Sequence, residues 1–288
     1  MRHLMPILLL LSVASVIQGQ EGTKRPLQAV KLEAPPSIDG DISEEVWKKI
    51  EPVTGFWDAQ QGRIVDEQTI VRIGYDAKFI YVSFELQDTK PQEITAAETQ
   101  EDSRFANDNG NLAEDMVDFR LDPFSTGTSA GSSIFSVNAI GTKSAILGGG
   151  RAKKTEWKGE WKAFVKRTAT GWTAEMQVPW AILNYPTKKG PQDIGINFFR
   201  YHNRLKLPSY WANIGPNQRE ELQGIWTGVV APAPPTPKVS FLPYVIGGID
   251  DKNRLISRAG LDVRYPISSE ITAVGSLNPD FGPIEGAV

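Results

Sequence analysis

The chain has 288 residues, 40% of them apolar, a formal charge of −3 and no cysteine. That is enough apolar material for one large domain or two smaller units without covalent staples, and it excludes a disulfide framework, a thiolate metal site, a cysteine nucleophile and a lipid-anchored cysteine. Lysine and arginine nowhere gather into a dense stripe, which removes nucleic acid as a partner.

Taken in chain order, the first element is an export signal. Arg2 and His3 precede an apolar stretch from Leu4 to Ile17, and Gln18, Gly19 and Gln20 follow. This positive, apolar, polar order, too short to span a bilayer, predicts a signal peptide over residues 1–20. From residue 28 to 231 the dominant period is two. Asp41 or Ser43 can cap one short helix with Ile42, Val46 and Ile50 on a common face, suited to covering a sandwich edge. Ile70 to Gln87 reads as a hairpin turning at Tyr75-Asp76-Ala77-Lys78. Val117, Phe119 and Leu121 alternate with Asp118, Arg120 and Asp122; Trp161, Ala163 and Val165 with Lys162 and Lys166; Trp172, Ala174, Met176 and Val178 with Thr173, Glu175 and Gln177. Pro179 suits the start of a brief turn through Leu183, and Ile194, Ile196 and Phe198 supply a further strand. Many short strands separated by Gly, Pro, Asn and Asp predict an all-β chain, a β-sandwich of jelly-roll or immunoglobulin-like type with few short helices. Pro232, Pro234, Pro235 and Pro237 form a stiff spacer, so a boundary is placed at 232–237. Beyond it, over 238–288, period-two stretches predict a few further strands, too few to close a membrane barrel.

Several residue sets could carry chemistry. Gly127-Thr128-Ser129-Ala130-Gly131 matches the G-x-S-x-G pattern, but that elbow needs a helix after its strand, and here strands flank it on both sides; it reads as a hairpin loop. After export the sole histidine is His202, read as a surface or hydrogen-bonding residue. Glu175, on the polar face of its strand, is expected to pair with an arginine such as Arg120 or Arg200. Asp102, Asp108, Asn109, Asp115 and Asp118, with Gly110 to bend the loop, form an oxygen-rich set of the kind calcium prefers. Of eight tryptophans, Trp161 and Trp172 read as core, whereas Trp57 and Trp211 lie beside loops and are candidates for an exposed platform, the flat indole face being suited to a sugar ring.

With these residues in view, Ile38-Asp39-Gly40-Asp41-Ile42-Ser43-Glu44-Glu45-Val46-Trp47 resembles the opening of family 9 carbohydrate-binding modules. The segments Tyr75 to Val82, Asp118 to Phe124 and Gly171 to Trp180 are similar to that family's strand signatures, in the same order. Asp262-Val263-Arg264-Tyr265-Pro266 and Leu277-Asn278-Pro279-Asp280-Phe281-Gly282 resemble the start of the domain that follows such a module in bacterial outer-membrane proteins. The resemblance implies a β-sandwich over 28–231, saccharide gripped between two tryptophans, structural calcium, and the first strands of an incomplete outer-membrane barrel over 238–288. Trp211 corresponds to the second tryptophan; the first falls at Arg104-Phe105.

The expected function is therefore a non-catalytic module of an exported envelope protein, in the periplasm or outer membrane of a Gram-negative bacterium, binding poly- or oligosaccharide through Trp211, Asn213, Arg104, Phe105 and Trp57. Calcium would be held by Asp102, Asp108, Asn109 and Asp115. One alternative is a periplasmic interaction or gating domain of an outer-membrane barrel without sugar affinity. A second is an activity associated with glycoside hydrolases, which needs two carboxylates facing across one cleft.

Overall fold

The computed structural model describes residues 24–107, 109–148, 160–186, 188–233, 239–249, 255–266 and 272–278. The expected signal peptide, Asp108 and most of the proline spacer lie outside these residues. The chain forms two compact units, divided between Pro232 and Ala233.

In the first unit the strands are β1 (Pro26–Gln28), β2 (Trp57–Asp58), β3 (Arg63–Ile64), β4 (Thr69–Tyr75), β5 (Phe79–Gln87), β6 (Met116–Asp122), β7 (Ser133–Asn138), β8 (Lys143–Ile146), β9 (Lys162–Thr168), β10 (Gly171–Pro179), β11 (Gln192–His202), β12 (Leu207–Tyr210) and β13 (Gly224–Val229). One sheet has the order β3-β2-β12-β11-β6-β7-β8, with β13 also on β11 and β1 on β13; the other has the order β4-β5-β10-β9. The structure is nearly all β, as the alternation demands: one residue of each pair faces a common core and the next faces outward. Val71, Val82, Phe84, Trp172, Ala174 and Met176 of the smaller sheet meet Val117, Phe119, Leu121, Ile196 and Phe198 of the larger one in a single buried cluster. Phe84 and Phe198 touch edge to face across the interface, 6.0 Å between centroids. Trp161 and Trp172 are both core.

The opening motif folds over the outer face of the smaller sheet. The expected helix is a single turn, α1 (Glu45–Lys48), without a side-chain cap, and it lays Trp47 and Ile50 on Tyr81. Beneath it sits Glu175, fully buried, and here the expected arginine partner is replaced. Glu175 Oε1 accepts the indole N–H of Trp47 at 2.7 Å, while Oε2 accepts the backbone N–H of Asp39 at 3.0 Å and of Gly40 at 2.8 Å. The physical reason is topological: Arg120 and Arg200 belong to the other sheet. Arg200 points inward there and donates to the carbonyls of Glu67 and Gln87. Gly40 is required because its φ of 85° is left-handed and a Cβ would stand 2.9 Å from the Val165 carbonyl carbon.

The second unit is a three-stranded antiparallel sheet of β14 (Ser240–Ile249), β15 (Leu255–Pro266) and β16 (Thr272–Leu277), in that order. Its register places Phe241, Pro243 and Val245 beside Val263, Leu261 and Ala259, with Tyr265, Ala273 and Leu277 on the same side. Apolar residues dominate that face, Ser257 being its one polar member among the paired positions; Asp262, Arg264 and Ser276 lie on the other.

Candidate functional site

Register fixes the outer face of the larger sheet. Tyr210 pairs with Phe199, Phe199 with Asp118, Asp118 with Ser136, and Ser136 with Ser144, so one row of side chains crosses β12, β11, β6, β7 and β8. Above this row is a groove of about 850 Å³, walled by residues 102–106 and 110–112 on one side and by Lys206, Pro208 and Gln218 on another. Its floor is a polar network. Ser136 Oγ donates to Asp118 Oδ1 at 2.7 Å, and Arg120 Nη2 donates to Asp118 Oδ2 at 2.9 Å, with Glu220 3.5 Å from Arg120 Nη1. The Arg120 guanidinium also lies over the rings of Phe199 and Tyr210, 5.0 and 5.1 Å from their centroids. Burial alone would lower the pKa of Arg120, but Asp118, Tyr210 and Glu220 beside it outweigh burial and raise it, so the cation persists.

The groove is built at a conformational cost. Asp102, Phe105, Lys206 and Gln218 all have φ between 49° and 63°, the left-handed region that side chains avoid, and all four line it. Such positions cost roughly 1–3 kcal/mol each and persist where surrounding structure demands them, most often at binding sites. Phe105 turns inward here and joins Met116, Phe199, Tyr201 and Tyr210 in a second buried cluster beneath the groove. Arg104, exposed at the rim, has no hydrogen-bond or ion-pair partner among the described residues.

The expected ligand residues are divided by this geometry. Arg104 and Phe105 line the groove. Trp57 and Asn213 meet in a separate cleft of about 340 Å³ with Gln60, Gln61 and Pro216. Trp211 corrects the expectation of an exposed platform: it is 1% exposed, with its ring 5.7 Å from Phe198 in the core and the Arg25 guanidinium 4.7 Å above it. The reason is parity. Tyr210 faces outward beside Phe199, so the next side chain turns inward. Arg120 and Phe199 were not among the expected ligand residues but were accessible by the same rule, since the inward sets Val117, Phe119, Leu121 and Ile194, Ile196, Phe198 leave Arg120 and Phe199 outward; Tyr210 was not, its strand being too short to show its phase.

Among the described residues the expected calcium ligands are not gathered. Asp102 Oδ1 accepts the Ala145 N–H, and Asp115 accepts those of Thr95 and Asn203. Asn109 is exposed in its turn, and Asp108 lies outside the described residues. Asp118 is taken by Arg120 and Ser136. The amides that occupy Asp102 and Asp115 come from other segments, β8 and the stretches at Thr95 and Asn203, so these carboxylates are engaged in holding neighbouring chain. Among the described residues the one group with a metal-like ligand arrangement is Glu67, Asp88 and His202. Far from a surface position, His202 is buried with Nε2 2.8 Å from Asp88 Oδ2 and Nδ1 3.3 Å from Glu67 Oε2. Arg204 Nη2 bridges the remaining oxygens at 2.7 and 2.8 Å, so a protein cation already serves this cluster.

Comparison with known proteins places this arrangement. The family described as carbohydrate family 9 binding domain-like matches residues 38–206, more than half of the chain. The chain belongs to that family. Family 9 domains are non-catalytic binding modules, and neither the G-x-S-x-G loop nor Glu175 in its closed pocket departs from that. Two solved structures share the fold at 15% identity. One is a family 9 module from Caldicellulosiruptor kristjanssonii in complex with glucose, with a TM-score of 0.50 over 70% of this chain and 95% of that one. The other is a putative carbohydrate-binding protein from Bacteroides uniformis, with a TM-score of 0.55 over 71% of this chain and 99% of that one. Among curated proteins no match is found.

Proposed function

We propose that this family 9 domain binds oligo- or polysaccharide in the groove over β6, β7, β8, β11 and β12. The observation that carries this reading is the groove floor, in which Ser136, Asp118 and Arg120 offer both donors and acceptors to hydroxyl groups above a buried aromatic layer. A few polar groups held rigidly over an apolar base is the composition of small-ligand sites in general. The family membership and a relative solved with glucose support the ligand class. Titration calorimetry with xylo- and cello-oligosaccharides tests it. Heat that saturates and is lost in Arg120→Ala, with the fold kept by circular dichroism, supports the reading; no heat at millimolar ligand removes it.

A second reading concerns location. Residues 1–20 have the order of an export signal, and the tail sheet has one apolar face with Phe241 64% and Val245 79% exposed. Its strands β14 and β15, of 10 and 12 residues, reach the length of a membrane-crossing strand, about 9–11 residues. We infer an exported protein whose tail sheet lies against the outer membrane of a Gram-negative cell. Fractionation of a Gram-negative host tests this: the full chain in the outer-membrane fraction supports it, and the full chain in the cytoplasm overturns it.

A further inference from the structure

The row of side chains on the outer face does not stop at Tyr210. Trp57 pairs with Tyr210 in the register of β2 and β12, so it continues the same row one strand further, on the same face. Unlike Tyr210, which is buried, Trp57 is only partly covered. The cleft it lines adjoins the groove through a shared wall: the loop of residues 213–218 gives Gln218 to the groove and Asn213, Gly215 and Pro216 to the cleft. That wall is held by its own turn, in which the Gln218 N–H donates to the Gly215 carbonyl and the Arg219 N–H to that of Ile214.

From Ser144 on β8 to Trp57 on β2 the row crosses six neighbouring strands. At a strand spacing of about 4.8 Å the row is about 24 Å long, several sugar rings. Its chemistry changes along the way. The β8 side is hydroxyl and charge, from Ser144, Ser136, Asp118 and Arg120. At the β2 side a partly exposed indole stands beside amide side chains, Gln60 and Asn213, and the Asn213 Oδ1 accepts the Gly215 N–H at 3.0 Å, which leaves its amide hydrogens for a ligand. Indole with amide donors is the pairing that stacks a sugar ring and bonds its edge hydroxyls.

We propose that the groove and the Trp57 cleft act as one continuous site that reads an internal run of a saccharide chain across the strands, with Trp57 and Asn213 holding the sugars furthest from Arg120. This rests on the saccharide reading of the groove and adds to it a binding mode, the recognition of a chain segment several units long and independent of the chain's end. Both ends of the row, Ser144 and Trp57, are fixed on strands, so the spacing between them is set by the sheet.

The experiment is a length series. The full chain is titrated with oligosaccharides from disaccharide to octasaccharide of whichever backbone binds, each also in a form with its reducing end reduced to the alditol. The expected result is affinity that rises with length until the row is spanned, by roughly tenfold or more, and is unaffected by reduction of the end. In Trp57→Ala the ratio of long-chain to short-chain affinity falls toward one. Asn213→Ala, and Gln60→Ala at an exposed position, move the ratio the same way and guard against a folding defect in the tryptophan variant. A disaccharide that binds as tightly as the longest chain, a loss of binding on end reduction, or a ratio unmoved by all three variants overturns the continuous site and leaves the groove reading standing. An absence of binding at every length overturns the groove reading itself.

Discussion

Glu175 shows how much can rest on one side chain. Three N–H donors converge on a carboxylate that no cation among the described residues neutralises, and two of them come from the Asp39-Gly40 turn that opens the family motif. The motif's tryptophan is thus a hydrogen-bond donor as well as an apolar cover. Trp47→Phe leaves one buried carboxylate oxygen short of a partner, and about 1–3 kcal/mol of stability is expected to go with it. Urea unfolding measures this, with saccharide affinity unchanged because the site lies on the other sheet. Acid and alkaline behaviour divide between two clusters. Burial pushes Glu67 and Asp88 up, but Thr89, the Lys90 N–H and Arg204 outweigh it and hold both below the usual carboxylate range. Their contribution is therefore present above the unfolded carboxylate range and lost as pH falls through the folded values. Burial raises Glu175 despite its three donors, so its contribution is present at low pH and is lost as pH rises through its folded value. Melting temperature followed against pH should lose part of its acid limb in Glu67→Gln, which is also less stable at neutral pH. Glu175→Gln should instead lessen the decline toward neutral pH. His202 is held down by burial and Arg200 against the pull of Asp88 and Glu67, which keeps its charge from compensating.

At the scale of the element, period two was the signal that sequence could transmit. The hairpin of β4 and β5, the pairing of β9 with β10, and the inward positions of β6 and β11 all follow from alternation of apolar and polar residues. Trp211 failed for a reason inside the same rule: it stands at the end of a four-residue strand whose loops hide the phase, and only the pairing of Tyr210 with Phe199 fixes it. The groove walls were not legible at all. Phe105, Lys206 and Gln218 sit in left-handed backbone that no propensity favours; Phe105 is held by packing on the distant Phe199, Tyr201 and Tyr210, Lys206 and Gln218 by turns of their own loops. Gly40 stands in the family motif for a reason that only the fold shows, the close approach of the Val165 backbone. Gly40→Ala must adopt a left-handed φ and displace the β9 backbone. The first effect alone is about 1–2 kcal/mol, and the loss should exceed that in thermal unfolding.

For the whole molecule, two units divided at Pro232 and Ala233 have separate strand systems. Limited proteolysis should cut in the proline-containing stretch that joins them and leave a stable product ending close to residue 232. Its melting temperature should match the first transition of the intact chain. A product that unfolds on cleavage would show that the units share a core. The released tail, with Phe241 and Val245 exposed on one face and β14 and β16 at the edges of its sheet among the described residues, should aggregate in detergent-free buffer.

The parallel pairing of β1 with β13 closes the first unit, joining Pro26 to Ile225 and Gln28 to Thr227. Force applied through the chain on either side of this unit would pull β1 from its amino end and β13 from its carboxyl end, in opposite directions along parallel strands. The bonds from Ile225 N to Arg25 O and from Ala29 N to Thr227 O would then be loaded together in shear instead of opening one after another. A module anchored through both flanks while gripping a saccharide would resist tension as a latch does.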